Sequence, residues 1–148
     1  MPCVLNGDRA IWIAKRCGVP LKIAAKVDAV DRDYFESEIR KMLTPPDVEY
    51  IGEISDGEKS SFLSGAIALL VPIAWPEPFG LVLIEAMACG TPVIAFNRGS
   101  VPEIVEDGLT VRCRRRRGGR CRHRSTISAL SRRHSAAAPA ASSVRWLY

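Results

Sequence analysis

Glu77 and Glu85 stand eight positions apart, on either side of Gly80, in the stretch Pro76-Glu77-Pro78-Phe79-Gly80-Leu81-Val82-Leu83-Ile84-Glu85-Ala86-Met87-Ala88-Cys89-Gly90. A glycine at the mouth of a helix lets a ligand approach the backbone closely. The unpaired amides of Gly80, Leu81 and Val82 then face outward at the positive helix end, which suits an anion such as a diphosphate. Glu85, about one turn further in, is placed to accept hydrogen bonds from ribose hydroxyls. Glu77, in the loop before the helix, is placed to grip sugar hydroxyls or to stabilise developing positive charge. Together these groups fit a nucleotide-sugar lying across a helix end. Taken singly they have plainer readings, since a carboxylate near a helix start answers the dipole and Glu85 suits a solvated surface. Lys26 and Lys59 are the candidate cations for reaching a phosphate.

The elements that must hold these residues alternate along residues 1–110. Asp8 to Cys17 has apolar residues at helical spacing and Gly18 to end it, and Val19 to Ala25 reads as a short buried strand. A second helix spans Asp31 to Leu43, stopped by Pro45-Pro46, and Val48 to Ile51 is a strand ending at Gly52. Ser55 followed by Glu58 has the form of a capping box and predicts a helix through Phe62 and Leu63. Ile67 to Ile73 is a continuous apolar run, the pattern of a strand covered on both faces. Phe79 to Cys89 is a helix ended by Gly90, Pro92 to Phe96 a strand, and Ser100 to Glu106 a short helix. Regular alternation of this kind predicts an α/β fold with right-handed crossovers and a doubly wound, Rossmann-like parallel sheet. Ligands of such sheets bind beyond the carboxyl ends of the strands, here after Ala25, Ile51, Ile73 and Phe96.

Composition divides the chain in two. Its 148 residues carry a formal net charge of +5, yet residues 1–110 hold ten Lys+Arg against all sixteen Asp+Glu, while residues 111–148 hold eleven Arg and no acid. A hydrophobic content of 47% excludes a wholly disordered chain, and no apolar run approaches the roughly 20 residues of a membrane span. Met1 to Asn6 does not have the form of a secretory signal, and five irregularly spaced cysteines form no disulfide framework. A cytoplasmic location is the expectation.

The motif Glu77-Pro78-Phe79-Gly80-Leu81, with Glu85-Ala86-Met87-Ala88-x-Gly90-x-Pro92-Val93, resembles the signature of the retaining group 1 glycosyltransferases of GT-B fold. The resemblance continues through Arg98-Gly99-Ser100-Val101-Pro102-Glu103-Ile104-Val105 and Asp107-Gly108-Leu109-Thr110, covering roughly residues 7–110. It implies the C-terminal, donor-binding half of a two-domain enzyme that moves a sugar from a nucleotide diphosphate sugar to a hydroxyl acceptor. In that family's pattern Glu77 contacts the transferred sugar, the amides of Phe79, Gly80 and Leu81 hold sugar and diphosphate, Glu85 holds the ribose, and Ile54 lies against the base. No catalytic metal and no other cofactor are implied. Residues 1–110 contain no His, so an imidazole base would come from the other half. Peripheral membrane association of a complete enzyme is compatible with the resemblance.

Two departures matter. The acceptor half, about 150 residues or more, is missing, and Met1 to Gly7 lacks the Arg and Lys with which the family neutralises the leaving diphosphate. Little catalysis is therefore expected of this chain alone. The match also stops after Thr110, at Val111-Arg112-Cys113-Arg114-Arg115-Arg116-Arg117. Arginine codons of the CGN type read one base later become GNN codons for Val, Ala, Asp, Glu and Gly, the composition the family would place there. Residues 111–148 are accordingly read as an arginine-rich disordered tail of out-of-frame translation, and residues 1–110 as an incomplete donor-binding domain. The alternatives are an inactive remnant that folds poorly, or a nucleic-acid arm in which Trp146 and Tyr148 stack on bases. Nucleic acid is not the expected partner. Cys113, Cys121, His123 and His134 fit no common zinc spacing.

Overall fold

The computed structural model describes residues 7–44, 46–73, 78–106, 112–113 and 143–147. Helix α1 (Gly7–Cys17) leads into β1 (Leu21–Ala24), and a continuous helical stretch follows as α2 (Arg32–Tyr34), a π-helical turn (Phe35–Ile39) and α3 (Arg40–Met42). Then come β2 (Val48–Gly52), α4 (Asp56–Ser64), β3 (Leu69–Val71), α5 (Leu81–Ala88), β4 (Val93–Phe96), α6 (Val101–Ile104), β5 (Arg112–Cys113) and β6 (Val144–Leu147). Every strand pair is parallel, and the sheet order is β2-β1-β6-β3-β4-β5.

Local chemistry accounts for the helix ends. Gly18, in the left-handed region at φ 65°, closes α1, with the Val19 amide donating to the Ala14 carbonyl at 3.2 Å. At the start of α4 the Ser55 amide and hydroxyl both donate to the Glu58 carboxylate, at 2.8 and 2.6 Å, so the capping box forms. Gly90 (φ 72°) ends α5. The π-helical turn falls where Phe35 and Ile39 are both buried, and the Phe35 ring lies 4.8 Å from that of Tyr50.

Helices cover both faces of the sheet. On one, Ile11 and Ala14 of α1 pack with Phe35, Ile39, Leu70, Ile94 and Trp146. On the other, Leu63 of α4 and Leu83 and Ala86 of α5 pack with Leu69, Val71, Val93 and Leu147. The run from Ile67 to Val71 is buried throughout, as a strand between two layers requires.

The expectation that residues 111–148 form a disordered tail fails for the described part of that segment. Val144–Leu147 is a strand at the centre of the sheet, pairing with β1 from Leu21↔Val144 to Ala24↔Leu147 and with β3 at Leu69↔Arg145. Its side chains alternate as a buried strand demands: Val144 and Trp146 enter one core, Leu147 the other. Trp146 is 2% exposed, so it has no face to offer a base. Arg145 is spread over the end of α4, its Nε donating to the Phe62 carbonyl at 3.2 Å and one terminal nitrogen to the Ser143 hydroxyl at 2.8 Å, with the guanidinium over the Phe62 ring. A cation at a helix C-terminus is favourable and satisfies a carbonyl that the helix leaves open. Burial lowers the Arg145 pKa, with Glu49 opposing. Tyr148, Cys121, His123 and His134 lie outside the described residues.

Two tests follow from this packing. Trp146→Ala should remove about 3–5 kcal/mol of stability in urea unfolding, the usual cost of emptying a buried Trp site. A loss within 0.5 kcal/mol, the range of an ordinary surface change, would show that β6 is not part of the folded sheet. The second concerns α4: hydrogen bonds from Ser55 lower the Glu58 pKa below its usual 4.5. A folded-state pKa below the unfolded one means the cap contributes fully above pH 4.5 and is lost as pH falls through the lowered value. Glu58→Gln cannot titrate, so it should show a smaller fall in Tm than the parent when acidified from about pH 6 to about pH 3.

Candidate functional site

The carboxyl ends of the strands open into a cavity of about 400 Å³. Ala24 at the end of β1 and Ala25 beyond it, Ile73 beyond β3 and Leu147 of β6 form apolar lining, and Gly80, at the N-cap of α5, also borders it. This is where open parallel sheets place their ligands.

Gly80 shapes the mouth of α5. Its backbone is left-handed (φ 71°, ψ 47°), and a Cβ there would come within 2.8 Å of Leu83 Cδ1 and 3.1 Å of Ser100 Oγ. Only glycine meets both conditions without strain. Among the described residues no side chain caps the helix, which leaves its first amides for water or a ligand. Ser100 sits directly behind this turn, 8% exposed, and its hydroxyl has no hydrogen-bond partner among the described residues.

The structure gathers Lys26, Ile54, Lys59, Gly80, Leu81, Val82 and Glu85 around the one cavity. Phe79 does not line it: its side chain is 60% exposed beside the mouth of α5. Glu77 lies outside the described residues. Lys59 is engaged by two carboxylates, at 2.8 Å from Asp56 Oδ1 and 3.6 Å from Glu85 Oε1. The hydrogen bond to Asp56 is the main cause of a raised Lys59 pKa and of a lowered Asp56 pKa. Lys26 reaches Asp28 at 4.0 Å. Beneath the floor, the Tyr50 hydroxyl donates to the Ala25 carbonyl at 2.7 Å and ties the ends of β1 and β2 together; burial raises its pKa, with Glu53 adding to the effect.

Glu53, Asp56, Arg98 and Leu147 are among the lining residues that the sequence reading did not assign to the site. The first three lie just beyond strand ends, where the carboxyl-end rule points, and Asp56 also opens the capped helix. Leu147 carries no local signal, because its place depends on pairing with strands more than seventy residues away in sequence.

Among the described residues no group of three His, Cys, Asp or Glu could hold a metal ion, and no helix is long and apolar enough to cross a membrane.

The family model for "Glycosyl transferases group 1" matches residues 15–113. The chain is 44% identical over 54 residues to alpha-maltose-1-phosphate synthase of Mycobacterium tuberculosis, covering 36% of this chain and 14% of that protein. It is 34% identical over 93 residues to glycogen synthase of the same species, covering 63% and 22%. With phosphatidyl-myo-inositol mannosyltransferase of Propionibacterium freudenreichii it shares 37% identity over 60 residues, covering 40% and 16%. The matched stretches thus span less than a quarter of these relatives' lengths. Among solved structures, Anabaena HepE in complex with UDP superimposes with a TM-score of 0.66 at 22% identity, over 90% of this chain and 37% of HepE. HepE in complex with UDP-glucose gives 0.65 over the same shares. These superpositions describe the fold.

Gly80→Ala should destabilise the protein by at least about 1–2 kcal/mol, the usual cost of a left-handed non-glycine residue, with the contact on Leu83 added. Gly57→Ala, at a helical position with open space around it, should be neutral or stabilising. Paired urea titrations check the contrast, and equal effects would show that the turn at Gly80 tolerates a side chain.

Proposed function

Because the chain belongs to the group 1 glycosyl transferases, we propose that its cavity takes a nucleoside diphosphate sugar, the donor for a transfer to a hydroxyl acceptor with retention at the anomeric carbon. The observation that carries this reading is the uncapped, glycine-opened mouth of α5 at the carboxyl edge of the sheet, with Glu85 one turn inside it and on the same cavity.

Each part of such a donor has a partner of suitable chemistry. The outward amides at Gly80, Leu81 and Val82 suit the diphosphate, whose charge grows as the bond from the anomeric carbon to phosphate breaks. The Glu85 carboxylate suits the ribose hydroxyls, and a hydrogen bond to a charged group is among the stronger ones. Ile54 offers an apolar surface for the base, and Lys26 stands at the rim as a cation for phosphate. Glu77, three positions before Gly80, is assigned to the transferred sugar, and Phe79 contributes through its backbone. The acceptor would be held by a part of the relatives outside the matched stretch, so for residues 1–148 donor binding is expected with little turnover, and no metal or other cofactor is required.

Calorimetric titration of the full chain with UDP-, GDP- and ADP-glucose tests the reading. One of the three should bind, and Glu85→Ala should weaken it about tenfold or more, the worth of one to two hydrogen bonds to a charged acceptor. Absence of binding to all three, or an affinity indifferent to Glu85→Ala, would overturn it.

A further inference from the structure

Lys59 looks on spacing like a cation for a phosphate, but its surroundings suit another task. It lies in the first turn of α4, where the helix dipole disfavours a positive charge. Its Nζ bridges two carboxylates on different helices: Asp56, one turn back on α4, at 2.8 Å, and Glu85, on α5, at 3.6 Å. The Asp56 side chain is 96% exposed, and such a solvated pair adds little to fold stability. All three side chains line the same cavity. The arrangement is a strut across the α4–α5 junction, anchored at the solvent edge and ending on the carboxylate that faces the cavity.

We propose that Lys59 is a positioning residue for Glu85, restricting its carboxylate to the orientation in which it meets the ribose hydroxyls of the donor; the proposal rests on the donor-site reading above. A glutamate on a bare helix surface samples several rotamers and loses that freedom when a ligand binds. A neighbouring ammonium that holds one carboxylate oxygen makes part of that loss before the ligand arrives, the usual gain from preorganisation. Two consequences separate this role from a phosphate contact. Lys59 acts on recognition of the hydroxyls rather than of the diphosphate, and it acts only through Glu85.

The readout is the ratio of affinities for a ribonucleoside diphosphate and its 2′,3′-dideoxy counterpart. Calorimetry on the full chain would use the best-bound of UDP, GDP and ADP. The parent protein should prefer the ribo form about tenfold. Lys59→Met should bring that ratio down to about two, Lys59→Arg should retain most of it, and Lys59→Met should change nothing further in a Glu85→Gln background. Should Lys59→Met fail to fold, Asp56→Asn, which frees the outer end of the strut, gives the decision: a reduced ratio supports the role and an unchanged one overturns it. If Lys59→Met weakens both ligands by a common factor while Glu85→Gln abolishes the preference, Lys59 is a phosphate cation and this inference fails alone. If Glu85→Gln leaves the ratio unchanged, or none of the three diphosphates binds, the donor-site reading fails and takes the inference with it.

Discussion

One four-residue strand joins the sheet into a single body. Among the described strands β2 pairs with β1 alone, and β3, β4 and β5 form a second parallel group; β6 is the strand between them. Parallel strands exchange hydrogen bonds only with immediate neighbours, so without Val144–Leu147 the facing edges of β1 and β3 would carry unpaired backbone groups in the middle of the molecule, at a cost comparable to lost hydrogen bonds. Three side chains of the strand serve different parts of the structure. Trp146 fills the layer beneath α1, Arg145 meets the open end of α4, and Leu147 lines the cavity. The site therefore depends on the same strand as the sheet, because that strand keeps the ends of β1 and β3 at the separation the cavity needs.

The mouth of α5 depends on a second constraint, the close packing behind Gly80. A turn that must be left-handed and must pass against Leu83 and Ser100 leaves no room for a side chain, and this exposes the first amides of the helix. A buried hydroxyl with no partner is unfavourable. Among the described residues the Ser100 hydroxyl, packed behind this turn, finds no such partner. Lys26, Lys59 and Arg98 share the cavity lining with Glu53, Asp56 and Glu85, so charges of both signs border the same space as its apolar residues.

Much of this architecture was legible in the sequence because its signals are local. The Ser55–Glu58 cap, the glycine after α1 and the buried run at Ile67 to Val71 each state their structure within a few residues, and the alternation of helix and strand implies the parallel sheet. The placing of Gly80, Glu85, Ile54 and Lys26 on one cavity follows from the same order of elements. Features decided by distant partners were not legible. The arginine-rich composition of residues 111–148 concealed a strand whose central position is set by β1 and β3. Spacing offered Lys59 to a phosphate and did not show the two carboxylates that converge on it from two helices. Phe79 differs again: Gly80 beside it is buried while its own side chain is exposed.

The position of β6 also bears on how the protein is made. Among the described strands it is synthesised last, yet it lies at the centre of the sheet. A nascent chain emerging from the ribosome can assemble β1 with β2, and β3 with β4, but the two groups cannot unite until Val144–Leu147 has left the exit tunnel. Until then two apolar strand edges face each other with nothing between them, which is the type of surface that chaperones bind and that pairs wrongly with other chains. Closure depends on contacts between residues more than seventy positions apart, and such contacts make folding slow. Assembly of this domain thus waits on the arrival of β6, which unites the two strand groups.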